Sequence, residues 1–206
     1  MSFVVVVGIG TDVGKTVVSS VLVEALKSDY WKPVQAGVIP KTDTEFVTSL
    51  VSHPACFFPE RFRLDMAASP HLAANEAGVK INATDFMLPQ TNRFCIIEGA
   101  GGIMVPLNDD GLLYLDLISR WNTPVVLVSR HYLGSINHTL LTISQLKLAG
   151  ISISLLVFVG DEHVPTESII KKLHPELPVH RIPLVDEITK SFVMNEALRI
   201  DVSLFD

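Results

Sequence analysis

Lys15, Thr16, Lys32, Asp43 and Glu98 carry side chains whose types and positions suit phosphoryl chemistry. Lys15 and Thr16 close the segment GIGTDVGKT, residues 8–16. Gly8, Gly10 and Gly14 admit backbone angles that a Cβ forbids, so several N–H groups are expected to converge on one anion at the positive end of the following helix. Lys15 would then neutralise terminal phosphate oxygens, and the Thr16 hydroxyl is placed to ligate magnesium. The common pattern has four residues between its first glycine and Gly-Lys-Thr, whereas five separate Gly8 from Gly14 here; strand, Gly-Lys-Thr and helix still follow in the right order. In RFCIIEGAGG, apolar residues lead into Glu98 and a glycine-rich turn, which puts an acid at a strand's carboxyl edge, where it holds a metal directly or through water. Lys32, in YWKPVQAG, ends a strand just before Pro33. If that strand neighbours the first, Lys32 shares a sheet edge with Lys15 and Glu98 and supplies a second cation for charge developing in phosphoryl transfer. Asp43, near a helix start, is either a capping residue or a further magnesium ligand.

These side chains need a scaffold that brings distant segments to one edge. Val4–Val7 is β-branched throughout and reads as a buried strand, and Val17–Leu26 has helical apolar spacing. Further strands are expected at residues 30–35, 93–98, 124–129, 152–159 and 179–182, with helices after most of them. Thr42–Glu45, TDTE, has the form of a capping box and predicts a helix from about Asp43. Another helix is expected over residues 135–149, where Gly134 and Ser135 leave N–H groups free for a carboxylate or phosphate. His138 within it reads as a packed or capping histidine. The alternation predicts an α/β fold: a single domain over residues 1–206 with a doubly wound, mainly parallel sheet, helices on both faces and ligands at the carboxyl ends of the strands. Residues 55–92 declare no single arrangement.

Composition narrows the partners. With 206 residues and 48% hydrophobic content, one domain can bury a sizeable core. A net charge of −6 without a basic run argues against nucleic acid, because phosphate backbones need clustered lysine and arginine. The N-terminal apolar run is too short for a membrane span and lacks the marks of a signal peptide, so a cytoplasmic protein with no membrane partner is expected. Cys56 and Cys95 lie in apolar contexts without metal-ligand spacing and read as buried free thiols.

The order and spacing of GIGTDVGKT, KPVQAG, TDT, SPH at residues 69–71, EGAGG, LGSINH and IPL at residues 182–184 resemble the dethiobiotin synthetase family over most of the chain. That resemblance implies a phosphate-loop NTPase fold and an ATP- and magnesium-dependent ligase of biotin synthesis, which closes a ring from 7,8-diaminononanoate (diaminopelargonate) and CO2 with release of ADP and phosphate. It implies magnesium on Thr16, Asp43 and Glu98, and Lys15 and Lys32 as catalytic lysines. ATP would be held by Asp12, Val13, Gly14, Lys15, Thr16 and Val17, by Asp43, Glu98, Gly99, Ala100 and Gly101, and around its base by Gly160, Asp161, Pro183, Leu184 and Val185. Substrate would meet Thr11, Ala36, Ser135, Ile136 and Asn137, the last three from the neighbouring subunit of a homodimer. Three positions depart from the family pattern: Ile9-Gly10 for Thr-Asp, Ala36 for a hydroxyl residue, and Gly160 for the asparagine that contacts the base. Two other classes share the loop and sheet. Partitioning-type switch ATPases carry an early lysine in the loop, and this chain has no basic residue between Gly8 and Gly14; cobalamin-pathway amidoligases add a glutaminase, and no cysteine here sits in a turn as a nucleophile.

Overall fold

A computed structural model describes residues 3–206. Its centre is β1 (Phe3–Gly8), whose valines alternate between two separate apolar layers. Val5 and Val7 face a layer shared with α3 (Pro70–Glu76), α4 (Tyr114–Trp121), α5 (Ser135–Leu148) and α6 (Val164–Leu173). Val4 and Val6 face α1 (Lys15–Leu26), α2 (Asp43–Leu50) and α7 (Lys190–Ala197). A strand buried on both faces needs apolar residues at every position, which is why β1 shows no polar alternation.

The remaining strands are β2 (Asp29–Trp31), β3 (Val34–Ala36), β4 (Phe57–Phe58), β5 (Phe62–Leu64), β6 (Cys95–Gly102), β7 (Val125–Arg130), β8 (Ile153–Val159) and β9 (Val179–Ile182). Six of them join β1 in one parallel sheet in the order β4-β2-β6-β1-β7-β8-β9. The expected α/β sheet with helices on both faces is therefore present. Because β6 lies between β1 and β2, the segments following β1, β2 and β6 all emerge at one edge, the position where parallel α/β sheets bind ligands.

Local departures from the sequence reading have physical causes. The single strand expected over residues 30–35 is broken at Lys32-Pro33, and β3 leaves the main sheet to pair with β5. Proline lacks the N–H that a central ladder requires. Conversely, β6 does not stop at Glu98 but continues through Gly102, which pairs with Gly8. The uncommitted stretch 55–92 holds β4, β5, α3 and a short 3-10 turn at Ala83–Asp85. Cys95 is buried, but Cys56 is exposed beside the edge strand β4, contrary to the expected burial; both thiols are free. No helix among the described residues is long and apolar enough to cross a membrane.

Candidate active site

The loop from Ile9 to Gly14 turns β1 into α1. Gly14 caps the helix at φ 98°, and a Cβ there would lie 3.0 Å from Val159 Cγ1. Glycine is thus required both by backbone angle and by contact with the end of β8. At Gly8 the requirement is contact alone, since a Cβ would lie 2.7 Å from Val13 Cγ2. Gly10 meets neither condition: the space where its Cβ would stand is open and its φ is not positive. The expectation that all three glycines answer a steric demand therefore holds for two. Asp12 is exposed and itself adopts a positive φ of 56°, and its carbonyl accepts a hydrogen bond from Arg130 at 3.3 Å. Val13 is buried beneath the loop, and Val17 lies in the first turn of α1.

Parallel register places Val6 beside Glu98 on β6, and Trp31 beside Ile97, so Lys32 leaves β2 next to Glu98. Thr16 comes from the first turn of α1. Its Oγ1 lies 2.8 Å from Glu98 Oε1 and 3.1 Å from Asp43 Oδ1, and the single hydroxyl proton serves one acceptor at a time. Lys32 Nζ stands 2.7 Å from Asp43 Oδ2 and 3.1 Å from Glu98 Oε1, and it also donates to the Gly99 carbonyl at 3.0 Å. Glu98 is fully buried and Lys32 nearly so. Burial alone would lower the lysine's pKa, but the charges of Glu98 and Asp43 outweigh it and raise it. For Asp43, burial works upward, and the Lys32 charge and hydrogen bond prevail and hold the carboxyl below its ordinary value.

Asp43 owes its position to the predicted capping box. Thr42 Oγ1 accepts from the Glu45 N–H at 3.1 Å, and Glu45 Oε2 accepts from the Thr42 N–H at 2.9 Å. Asp43 is therefore the first helical residue and not the cap, which leaves its carboxylate free for Thr16 and Lys32. Gln35 Oε1 also accepts from the Asp43 N–H at 3.0 Å, while Gln35 Nε2 donates to the Gly37 carbonyl at 2.7 Å.

Lys15 folds back on its own loop and donates to the Gly10 carbonyl at 2.8 Å. Burial and then the charge of Lys32 pull its pKa down to about 8, against the opposing charges of Glu98, Asp43 and Asp12. Beyond Glu98, Gly99 passes so close to β1 that a Cβ would be 3.2 Å from the Val6 carbonyl oxygen. Ala100 follows it, and Gly101, at φ 65°, brings the strand beside Thr11. Thr16 Oγ1, Asp43 Oδ1 and Glu98 Oε1 form a hard all-oxygen set suited to magnesium, which takes one or two carboxylates and completes its octahedron with phosphates and water.

Two further regions flank this cluster. At the ends of β8 and β9, Gly160 donates its N–H to the Ile182 carbonyl at 2.9 Å, and a Cβ on Gly160 would meet Leu184 at 3.8 Å. Asp161, Leu184 and Val185 are exposed there and Pro183 is half-buried, beside the Val159 that packs against Gly14. On the other side a cleft of about 350 Å³ runs between Gly10-Thr11, Gly102–Val105 and the α5 residues His138 and Leu141. Ala36 ends β3 in the smaller sheet, one residue after the Gln35 that holds the Asp43 N–H. At the start of α5, Ser135 is buried and its N–H already donates to the Tyr132 carbonyl. Ile136 and Asn137 remain among the N–H groups that a helix's first turn does not satisfy internally. Among the described residues, Ser135, Ile136 and Asn137 share no hydrogen bond or ion pair with Lys15, Lys32, Asp43 or Glu98. His138 is exposed, and its Nδ1 pairs with the Tyr132 hydroxyl at 2.7 Å.

Sequence reasoning missed Tyr30, Gln35 and Arg130. Tyr30 donates to Glu98 Oε2 at 2.9 Å, and burial followed by the Glu98 charge raises its pKa well above the ordinary phenol value. A tyrosine two positions before a strand-end lysine faces the same side as that lysine, the one local signal that pointed to it.

The chain matches the family model described as an AAA domain over residues 3–191. It is 50% identical over 187 residues to the ATP-dependent dethiobiotin synthetase BioD of Christiangramia forsetii, with 89% of each chain covered. The protein of that name from Rhodopseudomonas palustris is 46% identical over 188 residues, 91% of this chain and 90% of the relative. The Brucella ovis protein is 41% identical over 189 residues, 91% and 89%. Identity at this level over nine-tenths of both partners fixes descent and not merely fold, and the chain belongs to the ATP-dependent dethiobiotin synthetase family.

Proposed function

We propose that this protein is an ATP- and magnesium-dependent ligase that forms dethiobiotin from 7,8-diaminononanoate and CO2, releasing ADP and phosphate. The observation that carries the reading is the meeting of Thr16, Asp43, Glu98 and Lys32 at the mouth of the Lys15 loop. One domain holds both the nucleotide and the ring-forming residues. A carbamate formed on one substrate amine attacks the γ-phosphate and displaces ADP, giving a carbamic-phosphoric anhydride; the second amine then attacks the carbamoyl carbon, closing the ring and expelling phosphate. Lys15 holds the terminal phosphate oxygens, and Lys32 faces the carbamate and phosphoryl oxygens on which negative charge accumulates. Thr16, Asp43 and Glu98 would hold magnesium, which would neutralise charge on the phosphates. Mixing the protein with the diamine, bicarbonate, ATP and magnesium should yield the ring-closed product by mass spectrometry, with ADP formation dependent on the diamine. ATP hydrolysis that ignores the diamine would sink this reading and favour a switch ATPase.

The partners are small molecules, with neither nucleic acid nor membrane required, and the place of action is the cytoplasm. The assembly is a homodimer in which the first turn of α5, Ser135–Asn137, meets the substrate carboxylate of the neighbouring site, with Ile136 and Asn137 offering the N–H groups because that of Ser135 is held by the Tyr132 carbonyl. A fully active monomer at assay concentration would exclude it.

Gly160 bears on the nucleotide base. A glycine offers the adenine no side-chain donor and acceptor pair, so recognition falls to backbone groups of residues 183–185 and forgoes roughly 1–3 kcal/mol of discrimination. The expected result is a ratio of ATP to GTP or CTP specificity constants below about one hundred; a larger ratio overturns it. Gly160→Asn is a poor test, because the glycine sits at φ 122°, a conformation that asparagine rarely adopts.

A further inference from the structure

Glu98 divides its two oxygens between different neighbours. Oε1 faces Thr16 at 2.8 Å and Lys32 at 3.1 Å, whereas among the described residues Oε2 accepts only from the phenol of Tyr30, at 2.9 Å. Both residues are 0% exposed, so bulk water does not reach Oε2. The last torsion of a glutamate is broad and nearly two-fold, and a carboxylate with no partner on one oxygen turns readily. We propose that Tyr30 is a positioning residue for the metal: its hydroxyl fixes the plane of the Glu98 carboxylate so that Oε1, and not Oε2, is presented beside Thr16 and Asp43. The inference rests on the reading of Glu98 as a magnesium ligand.

The chemistry of the donor matters as much as its place. A phenol holds Oε2 without adding charge, whereas a further cation at that point would oppose a divalent ion already facing Lys32. The ring is anchored independently of the hydroxyl: it lies on β2 between β4 and β6 and packs at 53° to Phe57, with 6.1 Å between centroids. The other buried phenol near Glu98, Tyr114, reaches only the Glu98 backbone carbonyl, at 3.4 Å, and does not touch the carboxylate. Groups that orient a metal ligand from behind commonly contribute 10–100-fold to metal affinity.

Tyr30→Phe removes the hydroxyl and keeps the ring. Binding of Mn2+ in the presence of ADP, followed by electron paramagnetic resonance, should weaken 10–100-fold in this variant, while ADP binding without metal stays at the unaltered level. Raising magnesium should recover most of the turnover, so the defect appears in the metal requirement more than in kcat. Tyr114→Phe should leave Mn2+ binding unchanged; an equal loss there overturns the proposal, because it would reflect general loosening of the core. If Tyr30→Phe does not fold, Tyr30→Met fills the same space without a donor. Wild-type Mn2+ affinity in either folded Tyr30 variant overturns the role of Tyr30 alone. Failure of the unaltered protein to bind Mn2+ with ADP overturns the magnesium reading itself, and the proposal falls with it.

Discussion

Lys32→Met is expected to lower turnover by about a thousandfold and at the same time to tighten the binding of a divalent cation. Lys32 Nζ already sits between the two carboxylates, 2.7 Å from Asp43 and 3.1 Å from Glu98. In the reaction that charge faces oxygens on which negative charge grows, and loss of one such group costs on the order of 10²–10³ in rate; Lys32 serves both carbamate and phosphoryl oxygens, so the upper end is expected. Before the reaction, the same charge repels any metal that enters. Removing it leaves Asp43, Glu98 and Thr16 facing an uncompensated site, and affinity for Mn2+ should rise at least about tenfold, since a unit charge a few ångströms away amounts to about 1–4 kcal/mol. Stability should move with occupancy. Stripping the cation from a fully buried Glu98 costs about 3–5 kcal/mol, so the variant should melt earlier than the unaltered protein in a chelator and recover when magnesium is added. Kinetics, Mn2+ binding and melting curves check the three parts. Near-normal turnover in the folded variant would remove Lys32 from the mechanism.

Much of this site was legible because each member sits at a punctuation mark of the sequence. Lys15 and Thr16 follow a glycine that must take a positive φ, Asp43 follows a capping threonine, and Glu98 and Lys32 close apolar runs. Placing those marks on one edge needed only the rule that parallel sheets gather the ends of their strands. The parts that escaped depend on contacts between distant segments. Gly99–Gly102 looked like a turn by composition, yet β1 offers a partner strand at Gly8, and pairing overrides glycine's poor strand preference. The segment ACFF suggested burial of Cys56, but burial depends on whether its strand lies in the middle or at the rim of the sheet, and β4 lies at the rim. Tyr30 and Gln35 act on Glu98 and Asp43 through hydrogen bonds whose partners no local spacing encodes. The break at Pro33 was readable in principle, since a residue without an N–H cannot continue a central ladder.

Lys15→Met should match Lys32→Met in loss of turnover but differ from it in every other respect. Lys15 opens α1 just after the loop and does not stand between the carboxylates, and in the free protein its ammonium is spent on the Gly10 carbonyl at 2.8 Å. Burial, and then repulsion from Lys32, bring its pKa down to about 8, so the charge is held at a cost until an anion arrives. Phosphate oxygens favour the charged form and raise the pKa of the bound state above that of the free one. Between those two values, nucleotide binding takes up a proton. Affinity for ATP should therefore be steady below pH 8 and weaken as pH rises through 8, approaching tenfold per unit. In Lys15→Met that pH dependence should vanish, nucleotide affinity should be low throughout, turnover should fall about a thousandfold, and Mn2+ binding should gain far less than in Lys32→Met. Calorimetric titration with ADP across pH 7–9.5, in buffers of different ionisation heat, reads both the affinity and the proton uptake. A pH dependence that survives in Lys15→Met would assign it to another group and leave Lys15 as a structural latch of the loop.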